Sequence, residues 1–562
     1  MKQRQKHMKK WIHTGTAALL LSSFLAGCGD GGETATSEQP AKSSTDNQQE
    51  AAGTTSNSAD KGEAGSWGAV DEQPSAVYYE LFVRAFADSN GDGIGDLNGV
   101  TAKLDYLSSL GVEGLWLMPI TESPSYHGYD TTDYKKVESD YGTVDDLKRL
   151  VEEAHKRGIK VIMDLVVNHT SSEHPWFKEA LTNASSPYRS WYHFAAADEK
   201  VQTDSAAGAD SAWHGSGDNR YLSIFWGGMP DLNFDNQEVR DAMIEAGRFW
   251  LDQGIDGFRL DAAKHIYGDY ASTIHSKDVQ DLNQAWWQEF RAGLTQKKTD
   301  VYLVGEVWDS TSVIAPLLNH ALDSGFNFDL AGKLLSGADR EQDPDIAFGL
   351  TRAYEAYKQA SDGAFVDAPF LSNHDQQRVM TALNGNVDHA RMAAAMLLTM
   401  PGNPFIYYGE ELGLTGSKPD ERIRESMPWT ASLDGTDQAR WIEPTFAKGG
   451  EVSVEREEAD STSLLQWYKQ LIQWRKDDKA LRDGGINEFK LGDEKGLAAY
   501  VRMTADERVL VVHNLTGKPL QATISDETVY GAFASIAHAT DAAATLEAHT
   551  LNMPPYSTVI VK

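Results

Sequence analysis

Four short segments of the chain are apolar runs that end in charged or polar side chains: residues 161–169 (VIMDLVVNH), 257–261 (GFRLD), 304–308 (VGEVW) and 370–375 (FLSNHD). Asp261 and Asp375 close two of them, and Glu306 stands inside a third. Carboxyl groups brought together in this way are the working groups of proton transfer and nucleophilic attack. Arg259 lies two positions before Asp261, so along a strand both side chains face the same way, and the guanidinium keeps the aspartate ionised.

Apolar runs of four to six residues between helical stretches read as buried parallel strands. Carboxylates at their C-terminal ends fall where a (β/α)8 TIM barrel builds its active site. The interval from Asp261 to Glu306 suits consecutive strands and that from Glu306 to Asp375 suits two units, whereas Asp164 to Asp261 is too long for one unit of roughly 30 residues. An inserted subdomain after strand three accounts for the excess. Residues 76–84 and 114–119 read as strands one and two, and 301–308, 326–330, 365–371 and 404–408 as strands five to eight. Leu104, Leu107 and Leu110 share a helix face that Gly111 stops. Thr143 with Asp146 makes a capping-box start, Leu147, Leu150, Val151 and Ala154 form the apolar stripe, and Gly158 ends that helix. A further helix runs from about residue 235 to Gly254, with Glu238 at the capping position. Trp286 and Trp287 read as helix core. Beyond about residue 481 short β-rich stretches separated by turns predict a C-terminal antiparallel β-sandwich. The chain is thus divided into 1–27, 28–73, a barrel over 74–169 and 231–480, an inserted subdomain over 170–230, and a β-sandwich domain over 481–562.

The four segments, in this order, resemble the signature regions of the α-amylase family of glycoside hydrolases. Residues 229–233 (MPDLN) look like that family's further marker before strand four, of a form intermediate between typical α-amylases and the oligo-1,6-glucosidase and neopullulanase groups. The likeness covers about residues 74–480. It implies a retaining hydrolase in which Asp261 is the nucleophile, Glu306 the acid/base, with Trp308 and apolar neighbours desolvating it, and Asp375 a ligand of sugar hydroxyls that stabilises an oxocarbenium-like transition state. His169 and His374 resemble the family's sugar-binding histidines and Tyr129 its stacking platform. Lys264 and His265, after the small Ala262, resemble the pair of α-1,4-acting amylases that holds the leaving-side glucose. The implied activity is internal cleavage of α-1,4 bonds in starch and maltooligosaccharides by a monomer. The alternatives are an α-glucosidase, neopullulanase or cyclomaltodextrinase specificity, or a surface glucan-binding protein without catalysis.

Residues 88–96 (DSNGDGIGD) bring Asp88, Asn90, Asp92, Ile94 and Asp96 to alternate positions, with glycines allowing a tight wrap, the composition a hard, oxygen-seeking cation requires. The start is like an EF-hand loop, but the twelfth position is Gly99. The match is to the calcium loop after the first barrel strand in part of the family, and Ca2+ is the expected cofactor. A second family calcium site would use Asn168 and a backbone oxygen near His265.

Of the 562 residues, 83 are Asp or Glu and 51 Lys or Arg, and the resulting charge of −32 argues against a nucleic-acid partner and against electrostatic docking on anionic lipid. A basic stretch over residues 2–10 and a short apolar segment over 14–26 read as a secretory signal, too short to span a bilayer that needs about 20 residues. The segment closes in Leu25-Ala26-Gly27-Cys28, which resembles a bacterial lipobox, with Cys28, the sole cysteine, as the lipidated residue. The polar stretch that follows reads as a flexible tether. The expected location is the outer face of a bacterial membrane, lipid-anchored, or the secreted fraction.

Overall fold

The computed structural model describes residues 72–562 apart from 74, 449 and 451; the signal segment, Cys28 and most of the tether lie outside the described residues. Strands β1 (Tyr78–Leu81), β2 (Gly114–Leu117), β3 (Lys160–Leu165), β4 (Gly257–Leu260), β5 (Tyr302–Gly305), β6 (Ser324–Gly325) and β7 (Phe405–Tyr407) form one sheet in the order β6-β5-β4-β3-β2-β1-β7. Each ladder is parallel. Five of these runs are buried at every position, as strands covered on both faces must be. The sheet curls round until residues 365–371 fill the remaining place, held by isolated parallel bridges from Phe326 to Ala368 and from Phe370 to Phe405. The barrel is therefore present, with β7 at its eighth position.

Two barrel elements differ from the sequence reading. Residues 326–330 are not strand six, which is the two-residue β6 just before them. Helix α4 (Phe328–Arg340) begins there instead, because Asn327 caps it by accepting the Leu330 N–H at 3.0 Å and the buried Phe328, Leu330, Ala331 and Leu334 lie along its inner face. Residues 365–371 make bridges but no regular strand.

The other helices follow the pattern. α1 (Val144–Lys156) starts on the Thr143–Asp146 capping box and buries Leu147, Leu150, Val151 and Ala154. α2 (Gln237–Leu251) is capped by Asn236, one residue later than the sequence suggested, through a bond from the Glu238 N–H. α3 (Lys277–Thr295) buries both Trp286 and Trp287. Between β3 and β4 the chain makes a helix (Pro175–Thr182) and a small three-stranded sheet. Bridges from His169 to Asp231 and from Tyr192 to Leu232 tie this excursion back to the end of β3.

Inside the barrel Tyr78, Trp116, Ile162, Val304, Phe326, Phe370 and Phe405 form a packed plug, with Tyr78 stacked on Phe405 at 4.9 Å and Trp116 on Phe326 at 5.3 Å. It is a solid floor beneath the strand ends. The C-terminal part pairs a five-stranded with a three-stranded antiparallel sheet around a separate core that includes Val501, Leu510, Val512, Leu551 and Val559. Two buried arginines lie near its junction with the barrel, and Arg502 crosses it. Arg475, on α6 (Leu464–Asp477), donates to the carbonyls of Leu398, Met400 and Gly402, at the C-terminal end of α5 (Val387–Leu398), and Arg502 donates to those of Thr399, Gly484 and Gly485. No helix among the described residues is long and apolar enough to cross a membrane.

Candidate active site

The C-terminal ends of β3, β4 and β5 deliver Asp164, Arg259, Asp261 and Glu306 to one spot, and Arg259 organises them. Its Nη1 lies 2.8 Å from Asp164 Oδ1 and 2.5 Å from Asp261 Oδ1, and its Nη2 lies 3.0 Å from Glu306 Oε2. A cation 1% exposed is thus opposed by three carboxylates, which hold its pKa well above the ordinary value although burial acts the other way. The fit is possible because the register places Asp164 opposite Arg259 on the neighbouring strand.

The carboxyl groups differ in surroundings. Burial pushes Asp164 up to about 7, even against Arg259. Burial also raises Asp261, with Arg259 pulling the other way. Glu306 Oε2 accepts the Ala262 N–H at 3.0 Å as well as Arg259. Ala262 takes a left-handed φ of 49°, and this turn aims its N–H across at β5. Among the described residues neither Asp261 Oδ2 nor Glu306 Oε1 has a hydrogen-bond partner. The Asp261, Glu306 and Asp375 side chains are 11%, 19% and 34% exposed, so a ligand reaches all three.

Asp375 occupies the opposite side. Its Oδ1 accepts from Arg424 Nη2 at 2.7 Å and its Oδ2 lies 3.1 Å from His374 Nε2. Burial would raise this carboxyl, but His374, Arg424 and Arg259 hold it far below the usual carboxylate range. The Tyr129 ring stacks on His374 at 5.5 Å, and its hydroxyl lies 2.6 Å from His374 Nε2 and donates to Asp164 Oδ2 at 3.1 Å. His169 Nε2 meets the Tyr129 carbonyl at 3.1 Å, and burial lowers its pKa to about 4, so it is neutral.

The structure therefore gathers Asp261, Glu306, Asp375, Arg259, Tyr129, His169 and His374. Lys264 and His265 stand beside the group already engaged. Lys264 Nζ donates to the Trp308 carbonyl at 2.8 Å and to Asp309 at 2.9 Å, and His265 Nδ1 meets the Gly268 carbonyl at 3.0 Å. The Trp308 ring, which the sequence placed over Glu306, is seen stacked on another aromatic. It lies flat on Phe328 at 4.5 Å with 51% of the residue exposed, and Glu306 is paired with Arg259 instead. The sequence reading passed over two participants: Glu80, a lone charge in the apolar run of β1, and Arg424, in a loop with no periodicity to mark it.

In the 88–96 loop, Asp88 accepts the N–H groups of Asn90, Gly91 and Gly93, Asp92 that of Ile94, and Asp96 those of Ser89 and Gly99. Gly91 and Gly93 have positive φ, as the wrap demands. Among the described residues no three His, Cys, Asp or Glu side chains stand close enough to hold a metal. A cation here would rest on amide and carbonyl oxygens, Asn90 and Ile94, as well as on carboxylates.

The barrel, its strand-end carboxylates and the arginine between them define a class, and comparison with known proteins agrees. The α-amylase catalytic-domain family matches residues 80–484, and the chain belongs to it; the C-terminal domain family of the α-amylase SusG matches residues 497–560. "Alpha-amylase 3" of Dictyoglomus thermophilum is 43% identical over 87% of this chain and 93% of its own. An oligo-1,6-glucosidase of Parageobacillus thermoglucosidasius is 32% identical over 81% and 92%. The crystal structure of an α-amylase from H. orenii superposes with a TM-score of 0.79 at 40% identity, covering 87% of this chain and 99% of that one. The protein is a glycoside hydrolase of the α-amylase family.

Proposed function

We propose that the protein hydrolyses internal α-1,4-glucosidic bonds of starch and maltooligosaccharides with retention. The observation that carries this is the single guanidinium of Arg259 touching both Asp261 and Glu306, compatible with the close spacing of roughly 5 Å that a retaining pair needs. Asp261 Oδ1 is held by Arg259, and the unpartnered Oδ2 attacks the anomeric carbon. Glu306 Oε2 is held by Arg259 and the Ala262 N–H, and Oε1 carries the proton given to the leaving oxygen, later taking one from water. Asp375, kept ionised, receives sugar hydroxyls and offsets charge that develops at the ring. Tyr129 and His374 form the aromatic wall of that subsite. Lys264 serves the leaving side by anchoring the backbone that presents Trp308. The D. thermophilum relative supports the α-1,4 reading. Release of reducing ends from soluble starch, with product lengths, tests it: mixed internal products are expected, and glucose alone would overturn endo action.

A second specificity, for α-1,6 bonds, draws on the relatives named oligo-1,6-glucosidase. Turnover of isomaltose above that of maltotetraose would establish it over the first.

Ca2+ is proposed at the 88–96 loop, where the alternate oxygens and glycine wrap support it. Chelation should lower the Tm by mass action, and Asp92→Ala should remove that shift; unchanged metal content in the variant would make the loop an ordinary turn. Lipidation of Cys28 and a location on the extracellular face of a bacterial membrane, or secreted, rest on the sequence of residues 1–28, and mass spectrometry of the mature N-terminus decides them.

A further inference from the structure

β1 carries one charge among apolar neighbours. Glu80 is 1% exposed, and among the described residues its carboxylate makes one side-chain hydrogen bond, to His374 Nδ1 at 2.5 Å. The mechanism above does not use it. The other ring nitrogen of His374 also faces acceptors, Asp375 Oδ2 at 3.1 Å and the Tyr129 oxygen at 2.6 Å, whose own proton goes on to Asp164. A ring with acceptors at both nitrogens is best served by two N–H groups, the imidazolium form.

Charged groups face the His374 ring from several elements. Asp164 on β3 and Asp261 after β4 favour the cation. Arg259 on β4 and Arg424 after β7, whose Nε donates to the His374 carbonyl at 3.0 Å, oppose it. Tyr407 and Glu410 are near enough to Glu80 to feel its charge. Burial by itself would strip the proton from His374, but Asp375 and Glu80 outweigh it and lift the ring to about 9. Asp375 already has Arg424, so Glu80 is the carboxylate whose compensation depends on the ring.

We propose that Glu80 is a positioning residue for catalysis: it keeps His374 an imidazolium, and His374 in turn holds Asp375 ionised and oriented towards the sugar at the point of cleavage. The inference deepens the hydrolytic reading above and rests on it. A glutamine at this position offers the same oxygen to Nδ1–H without the charge. In that variant the ring loses its proton at lower pH, and a bare Nε2 lone pair then confronts Asp375 Oδ2.

The test is the pH profile of kcat/KM for Glu80→Gln and Glu80→Asp on an aryl α-maltoside. Glu80→Gln should move the alkaline limb down by about one unit or more, a loss of about 10-fold on that limb, with the neutral-to-acid side little changed. Glu80→Asp, which keeps the charge, should retain the position of the limb even where its rate is lower. A limb in Glu80→Gln that superposes on the wild type, or a uniform loss at every pH, would overturn the proposal. Should Glu80→Gln fail to fold, 15N-histidine NMR of the wild type decides the matter, the His374 signal being assigned by its loss in His374→Asn. An imidazolium at pH 8 is expected and a neutral ring at pH 7 overturns it. This second measurement needs no turnover, so inert starch would sink the hydrolytic reading while leaving the state of His374 legible.

Discussion

Arg259 at the barrel mouth and Arg502 at the junction with the C-terminal domain are both about as buried as a side chain becomes, yet they are satisfied in opposite ways. Arg259 meets three carboxylates, and its charge is more than matched. Arg502, like Arg475, meets backbone carbonyls, including those at the negative end of the α5 dipole, and burial lowers these two to about 10 and about 9. The mouth uses a cation to offset the charge of carboxylates gathered in one buried place. The junction uses one to close helix and strand ends that would otherwise bury unpaired carbonyls.

The comparison is sharpest where the two arginines are altered. Arg259→Lys keeps a charge but cannot reach three carboxylates at once, so kcat/KM should fall by about 10³-fold or more. Asp261, already raised, then loses its hydrogen bond to the cation, and the acid limb of activity, lost as pH falls through that raised value, should move to higher pH. Near-normal rates with an unmoved limb would erase the distinction. Arg502→Met should do the reverse: unfolding free energy falls by about 3 kcal/mol as several carbonyls lose their donor, while kcat/KM per folded molecule stays within about 2-fold. Denaturant melts and active-site titration separate the two quantities. Lys264, partly exposed and bound to one carbonyl and Asp309, stands between these cases. Lys264→Ala should weaken maltooligosaccharide turnover about 3- to 10-fold more than that of an aryl glucoside lacking a leaving-side sugar; equal losses would place Lys264 with Arg502.

Much of the site was legible because barrel strands are short apolar words and Asp164, Asp261 and Glu306 punctuate them. Helix α1 was legible for a similar local reason, its capping box. What escaped depended on non-local partners. Glu80 was visible as an acid in an apolar strand, but its meaning comes from His374 across the barrel. Arg424 gave no signal, since only the folded loop brings it to Asp375. The misplaced sixth strand shows the limit of apolar runs: Phe326, Phe328 and Leu330 fit a strand's alternation, and the Asn327 cap converted them to a helix start.

The way the barrel closes bears on when, and not only where, the carboxylates work together. Asp261 and Glu306 follow strands with ladders on either side, whereas Asp375 follows residues 365–371, joined to the ring by four backbone bonds, from the Val366 N–H to the Asp323 carbonyl, the Asn327 N–H to the Ala368 carbonyl, the Asn403 N–H to the Asp367 carbonyl and the Phe405 N–H to the Pro369 carbonyl. Local opening with few bonds to break occurs at the lower end of the free-energy scale. In deuterium exchange the amides of Asn327 and Phe405 should therefore label before those of β3 and β4, and equal protection would show that the seam opens only with the rest of the barrel.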